Sequence, residues 1–257
     1  MITDISLITH RPGLVFLLSL MFLWLWAWLG WSFLRKKHSL ESELRDDYGL
    51  ILGASLTLLG LIIGFSFSMA TSRYDLRKSY EEAEANAIGT EYLRADLLPA
   101  EDAAKVRTLL KQYLDCRIQF YTTGEEARVE EINQHTAQLQ TALWSAVLAP
   151  AMAKQTPVMS LAVAGMNDVL NSQGYTQAAW WNRIPTAAWV LMAAISSGCN
   201  LLVGYGLRGR KSGSRLLPVL PLVTAIAFML IADIDAPRHG IIRVIPQNLI
   251  SLAQSLK

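Results

Sequence analysis

Three groups of residues in this sequence have types and spacings that could act on charge or on close packing. Asp233 and Asp235 lie two apart at the end of an apolar run, IADIDAPRHG, with Arg238 and His239 beside them. Repeated around a symmetry axis, such carboxylates would form a ring of charge of the kind that selects ions at a pore mouth. Without symmetry they form a polar stop with an Asp–Arg pair. The second group, Arg73, Glu84, Asn86, Arg94 and Asp96, follows another apolar run. Glu91 and Arg94 are three apart, within pairing range on a helix. This polar set could tie helices together across subunits or within one bundle, and Glu81, Glu82 and Glu84 read most simply as a solvated face. The third group is Gly49, Gly53, Thr57, Gly60, Gly64 and Ser68, recurring at three- and four-residue spacing and containing GLILG and GLIIG. A continuous small face lets helix backbones approach in lipid, where no hydrophobic force drives helices together. It would serve either packing within the chain or a seam between subunits that faces a pore.

Catalytic chemistry has little to stand on. His10, His38, His135 and His239 form no metal-binding spacing with a second His or Cys, and Glu131 with His135 reads as a solvated pair. No nucleophile elbow, P-loop or dinucleotide fingerprint occurs. We therefore expect no enzyme activity, cofactor or metal. The two cysteines, Cys116 and Cys199, fall in parts of opposite character and are not expected to bridge. No basic stripe marks the polar part, so nucleic acid is not an expected partner.

The elements that must position these residues follow from where charge is absent. Of 257 residues, 52% are hydrophobic and 17% charged, with net charge +2. An ordinary soluble domain is roughly 25% charged. Four apolar stretches, 12–34, 48–72, 184–207 and 216–232, contain no Asp, Glu, Lys or Arg. About 20 apolar residues cross a bilayer core. The first run is too long for a signal-peptide core and ends in the basic SFLRKKH, so it reads as a retained span. Trp24, Trp26, Trp28 and Trp31 cluster toward that basic end, where indoles anchor at the headgroups. The absence of ionisable groups inside the spans disfavours voltage sensing and proton relays. Ser55, Thr57, Ser66, Ser68, Ser196, Ser197, Asn200 and Thr224 are expected to bond between helices. The lipid bilayer is thus an expected partner.

No proline occurs between Pro12 and Pro99. The spacing predicts one helix from about 48 to 98, a span continued as a stalk. Further helices are predicted over 101–122, 125–149 and 158–171, with Pro150 ending the third of these four. Pro218 and Pro221 weaken the start of the last span. The fold class expected is all-α. Transmembrane helices cover 12–34, 48–72, 184–207 and 216–233, a helical soluble domain covers 73–183 between spans two and three, and a tail covers 234–257. Arg35, Lys36, Lys37 and Arg45, with Arg208, Arg210, Lys211 and Arg215, crowd two short loops. Their density favours those loops inside and the 73–183 domain outside.

Three segments together resemble the bestrophin-like-domain family of bacterial membrane proteins: SRYDLRKSYEEAEANAIGTEYLRADLLP (72–99), GYGLRGRKSGSR (204–215) and IADIDAPRHGIIRV (231–244). The resemblance implies a multi-pass protein of a bacterial inner membrane. It also implies kinship in layout with bestrophin chloride channels, which are pentamers of four-span subunits. That layout would place the soluble helices in the cytosol, opposite to the charge-density reading. Two functions are in play. One is a homo-oligomeric ion channel lined by the second span. The other is a membrane-anchored interaction or sensor module without transport activity.

Overall fold

The structure, a computed structural model, describes residues 11–32, 42–207, 213–238 and 240–256. His10, His38 and His239, and the basic loop residues Arg35, Lys36, Lys37, Arg208, Arg210 and Lys211, lie outside the described residues. Every element described is helical: α1 Pro12–Ser32, α2 Ser42–Arg94, α3 Ala100–Thr122, α4 Glu126–Ala153, α5 Pro157–Trp181, α6 Thr186–Gly206, α7 Gly213–Leu216, α8 Val219–Asp235 and α9 Gln247–Ser255. A 3-10 turn, Ala95–Leu97, closes α2. Pro99 then stands at the N-cap of α3, since a proline excludes the α conformation from the residue before it.

The uninterrupted helix expected over 48–98 is present, and α2 runs to 53 residues. Other boundaries moved. Pro150 does not end α4, which carries on to Ala153. One lost backbone bond near a helix end is tolerated when packing holds the turn, and Pro150 is buried. Helix α5 ends ten residues beyond the 158–171 that its apolar stripe suggests. Its second half, NSQGYTQAAWW, buries Ser172, Thr176, Ala179 and Trp180 rather than an aliphatic row. Thr156 caps its start, accepting from Met159 N–H at 3.2 Å, and Pro157 fills the first turn, where a missing N–H costs nothing. In α8, Pro218 is the N-cap and Pro221 sits in the first turn. The prolines set where the helix starts and do not bend it. The short amphipathic helix α9 was not anticipated in the tail.

The chain divides into two compact units, one of residues 1–72 and 183–243, the other of residues 73–182 and 244–257. In the first, α1 packs on α6 and α8. The closest approach is between α1 and α6. A methyl at Gly30 would collide with the Leu201 carbonyl and stand 3.0 Å from Tyr205 N, and one at Gly204 would collide with the Ala27 carbonyl. Each glycine admits the other helix's backbone. Helix α2 joins α6 through Tyr48 Oη, which donates to the Leu202 carbonyl, and through Cys199 Sγ, 3.4 Å from the Ser55 carbonyl. Two buried side-chain donors of α6 bond within their own helix, while Ser196 Oγ and Asn200 Oδ1 have no partner among the described residues. Ser197 Oγ donates to Ala193 O at 2.7 Å and Asn200 Nδ2 to Ser196 O at 2.8 Å. The expected interhelical bonding of these groups gives way to bonding along the helix.

In the second unit one apolar core gathers Ile88 of α2, Val106, Leu110, Leu114 and Phe120 of α3, Leu143 and Val147 of α4, Met166 of α5 and Leu249 of α9. The faces expected on α3 (Val106, Leu110, Tyr113, Leu114, Arg117, Tyr121) and on α4 (Ile132, Leu139, Leu143, Val147) are buried in full. On α5, Val163 and Leu170 are only half-buried, and the face turns to Met159, Ala162, Met166 and Val169.

Gly30→Ala and Gly204→Ala should each destabilise the first unit by about 1–3 kcal/mol. Gly53→Ala should not, because nothing lies within 4 Å of a methyl there. Thermal unfolding in detergent compares the three.

Candidate functional site

The polar half of α2 carries a row of charged residues at helical spacing, Arg77, Glu81, Glu84 and Glu91, with Ile88 between. All five are buried, at 1%, 1%, 0%, 0% and 0% exposure. This overturns the solvated-face reading of Glu81 and Glu84, and only Glu82 of that run is exposed. The segment past Ser72 is not a bare stalk but the central strut of the second unit. A charge enters such a place only when paired or hydrogen-bonded, and the first three rungs, Arg77, Glu81 and Glu84, meet that demand.

Arg77 Nε donates to Ala179 O and its Nη2 to Asn182 O, each at 3.2 Å. A guanidinium there satisfies orphan carbonyls and the negative end of the α5 dipole. Glu81 does the converse for α9. Its carboxylate accepts from Asn248 N at 2.9 Å, Asn248 Nδ2 at 2.7 Å and Leu249 N at 3.0 Å. It therefore caps the helix start with the sign the dipole favours. Glu84 pairs with Arg117 Nε of α3 and also accepts from Tyr121 Oη at 3.2 Å and Thr176 Oγ1 at 3.1 Å. Arg117 lies over the Phe120 ring at 4.4 Å. Burial works against its charge, but Glu84 more than offsets this and holds its pKa above the ordinary value. Burial and then Glu84 also push the Tyr113 and Tyr121 hydroxyls upward, so both stay protonated and neither can serve as a base.

The fourth rung differs. Neither carboxyl oxygen of Glu91 has a hydrogen-bond partner, and the expected pairing with Arg94 does not form. Arg94 Nη1 instead reaches the Leu161 carbonyl of α5 at 3.4 Å. The other members of the expected polar set scatter. Asp96 is exposed and paired with Arg107. Asn86 is exposed in a groove of about 600 Å³ between α2 and α9, and Arg73 is half-buried. Of the five residues Arg73, Glu84, Asn86, Arg94 and Asp96, only Glu84 belongs to the ladder. Arg77, Glu81 and Glu91 lie outside that set, although with Glu84 they stand at i, i+4, i+7 and i+14 on one helix face.

The small-residue face of α2 has the opposite character. Gly49, Gly53, Thr57, Gly60, Gly64 and Ser68 are all exposed, and nothing lies within 4 Å of a methyl built at any of the four glycines. Packing within the chain does not use this face. The most apolar stretch of α2 is 11% buried, against 22% in α1.

Asp233 and Asp235 are 6% and 4% exposed. Asp233 accepts from the backbone N–H groups of Ile241 at 2.8 Å and Ile242 at 2.9 Å, and a methyl at Gly240 would strike its carboxylate. Asp235 accepts from Ile184 N–H at 3.2 Å through both oxygens. These carboxylates clamp the chain at the exit of α8 and the entry of α6. Within one chain these carboxylates are thus enclosed and bonded to backbone rather than presented to solvent. Arg238 follows them and is half-buried. Glu131 pairs with Arg128 at 3.8 Å, while His135 Nδ1 lies 3.9 Å from Cys116 Sγ. No cluster of three metal-ligating side chains occurs among the described residues. Cys116 and Cys199 are free.

Three helical stretches, Pro12–Ser32, Asp46–Leu97 and Pro157–Gly206, are long and apolar enough to cross a membrane. The third holds α5 and α6. The class these features define is an all-helical membrane protein. The sequence model of the Bestrophin-like domain matches residues 19–249, and the chain belongs to that family. Solved structures agree on the fold. A bacterial bestrophin homologue from Klebsiella pneumoniae superposes with a TM-score of 0.63 at 15% identity, covering 93% of this chain and 97% of the other. A single-substitution variant of that homologue gives 0.64 at 12% identity, over 94% and 97%. A structure described only as a membrane protein variant gives 0.63 at 16%, over 94% and 95%. No curated protein matches the sequence.

Replacing Glu81 by Ala leaves the two α9 backbone donors uncapped, at about 1.5–3 kcal/mol for hydrogen bonds to a charged group. Amide exchange over residues 247–255 should rise at least about tenfold, with α3 unchanged. Equal protection in the variant would show that Glu81 does not hold α9.

Proposed function

We propose that the protein is a homo-oligomeric ion channel of a bacterial inner membrane, crossing it through α1, α2, α6 and α8, with α2 lining the pore. The observation that carries this reading is the exposed small face of α2. Its glycines would weaken a helix that met only lipid, since each costs roughly 1 kcal/mol against Ala. Such a row is useful where another helix backbone comes close. No helix among the described residues comes close to it, so copies of the chain around an axis do. Small and hydroxyl residues also leave room for a narrow path between copies. Helix α8, at 17 residues, is about 25 Å long. With its turn at Leu217–Pro218 it serves as the fourth span. Kinship with the bestrophin fold supports a channel layout. The buried ladder of α2 acts as its frame, and the second unit, built on residues 73–182, forms the extramembrane part. The partners implied are lipid, further copies of the chain and the permeant ion. Nucleic acid and a cofactor have no place in it, and no residue set supports an enzyme.

The competing reading is a membrane-anchored interaction module. The 600 Å³ groove lined by Asn86, Gly89 and Thr90 of α2 and Asn248, Ser251 and Leu252 of α9 is its supporting feature. The two part on assembly. Purified protein should run as a discrete oligomer and pass ions in liposomes. Gly60→Leu should cut flux at least about tenfold, or break the oligomer, while leaving single-chain stability within about 0.5 kcal/mol. A monomeric wild-type protein, or flux unchanged by Gly60→Leu, would overturn the channel reading.

A further inference from the structure

Glu91 stands apart from the rest of the α2 ladder. Its side chain has 0% exposure, and both oxygens lie among protein atoms with no donor to either. It packs against Gly165 of α5. A methyl there would collide with Glu91 Oε2 and with Arg94 Nη1, which lies beside the carboxyl group without bonding it. The glycine therefore makes room for the carboxyl group, and α5 closes over it. The charged groups around it are few. Arg94, on its own helix, donates to the Leu161 carbonyl. Asp168, exposed on α5 one turn beyond Gly165, brings like charge. Asp96 in the following turn is exposed and paired with Arg107 of α3.

A bare carboxylate in this place would have no compensating bond, whereas the neutral acid fits. We propose that Glu91 is a proton-binding site whose occupancy sets how tightly α5 packs on α2. With the proton on, α5 lies closed over Glu91 at Gly165. With it off, the carboxylate draws water, and the contact between Gly165 and Glu91 opens. Burial pushes the Glu91 carboxyl up from 4.5 to about 8, with Arg94 opposing the shift and Asp168 adding to it. The folded protein thus holds a proton that the unfolded chain has lost across that window. Its stabilising effect is complete below the lower value and drains away as pH rises through the upper one. The inference stands whether or not the protein conducts ions.

The test uses the full chain in detergent. Between about pH 5 and about pH 9, Tm of the wild type should fall by roughly 5 °C more than that of Glu91→Gln. Amide exchange over 157–168 should rise across the same range in the wild type only. Infrared spectra of the wild type should show a protonated carboxyl stretch that titrates near neutral pH. Asp168→Asn, a change at an exposed site, should move that midpoint to lower pH. This last pair of measurements decides the matter even where Glu91→Gln does not fold. Equal pH slopes in wild type and Glu91→Gln overturn the proposal. So does the absence of a protonated carboxyl stretch near neutral pH, or a midpoint unmoved by Asp168→Asn.

Discussion

Taking a carboxylate and a guanidinium out of water costs several kcal/mol each, and their attraction recovers this only where geometry is good and the remaining polar atoms find partners. Glu84 meets those terms at the centre of the second unit, while Arg117, like Glu84 at 0% exposure, bonds it through Nε and lays its two Nη groups, unpartnered among the described residues, by the Phe120 ring. Glu84 occupies both its oxygens, one with Arg117 and the other with Tyr121 and Thr176. The pair joins α2 to α3, and Thr176 brings in α5. An apolar core would allow α2 to rotate or slide by a turn at small cost. A buried pair does not, because every other register strands a charge. The pair is thus the constraint that fixes the rotation of α2 in the bundle. Arg77 and Glu81 extend it by seating the end of α5 and the start of α9.

Helix α2 carries two patterns with the same period and opposite use. Up to Ser72 its small residues face outward and meet nothing in the chain. From Arg77 on, four of its charged residues, Arg77, Glu81, Glu84 and Glu91, face inward, and the first three meet several partners. In water a polar row facing out and an apolar row facing in would be the default. Both halves break that rule, and each departure marks a place where the helix has work beyond folding on itself. The inward charges fix register within the chain. The outward small face suits a partner the single chain lacks.

Much of the fold was legible from periodicity. The all-helical class, the long α2 and the buried faces of α3 and α4 follow from apolar spacing and from the absence of proline between Pro12 and Pro99. The polar ladder was less legible because its partners are remote in sequence. Arg117 lies 33 residues from Glu84, and Asn248 lies 167 from Glu81. A charged residue at helical spacing reads as solvated until its partner is known. The membrane glycines fall into two groups. The repeat of Gly49, Gly53, Gly60 and Gly64 meets nothing among the described residues, while the α1–α6 contact rests on Gly30 and Gly204, which belong to no repeat. Asp233 and Asp235 likewise suggested an ion site by type and spacing. Their acceptors are spent on backbone N–H groups that spacing alone does not reveal.

The central claim, that a buried charge pair on α2 sets the architecture of the second unit, is tested most directly by a double-mutant cycle on Glu84→Met and Arg117→Met, measured by reversible unfolding in detergent. Each single substitution leaves one charge buried alone and should cost about 3–5 kcal/mol. The double substitution should cost less than either, giving a coupling energy above about 2 kcal/mol. Costs that simply add, to within about 0.5 kcal/mol, would contradict the account.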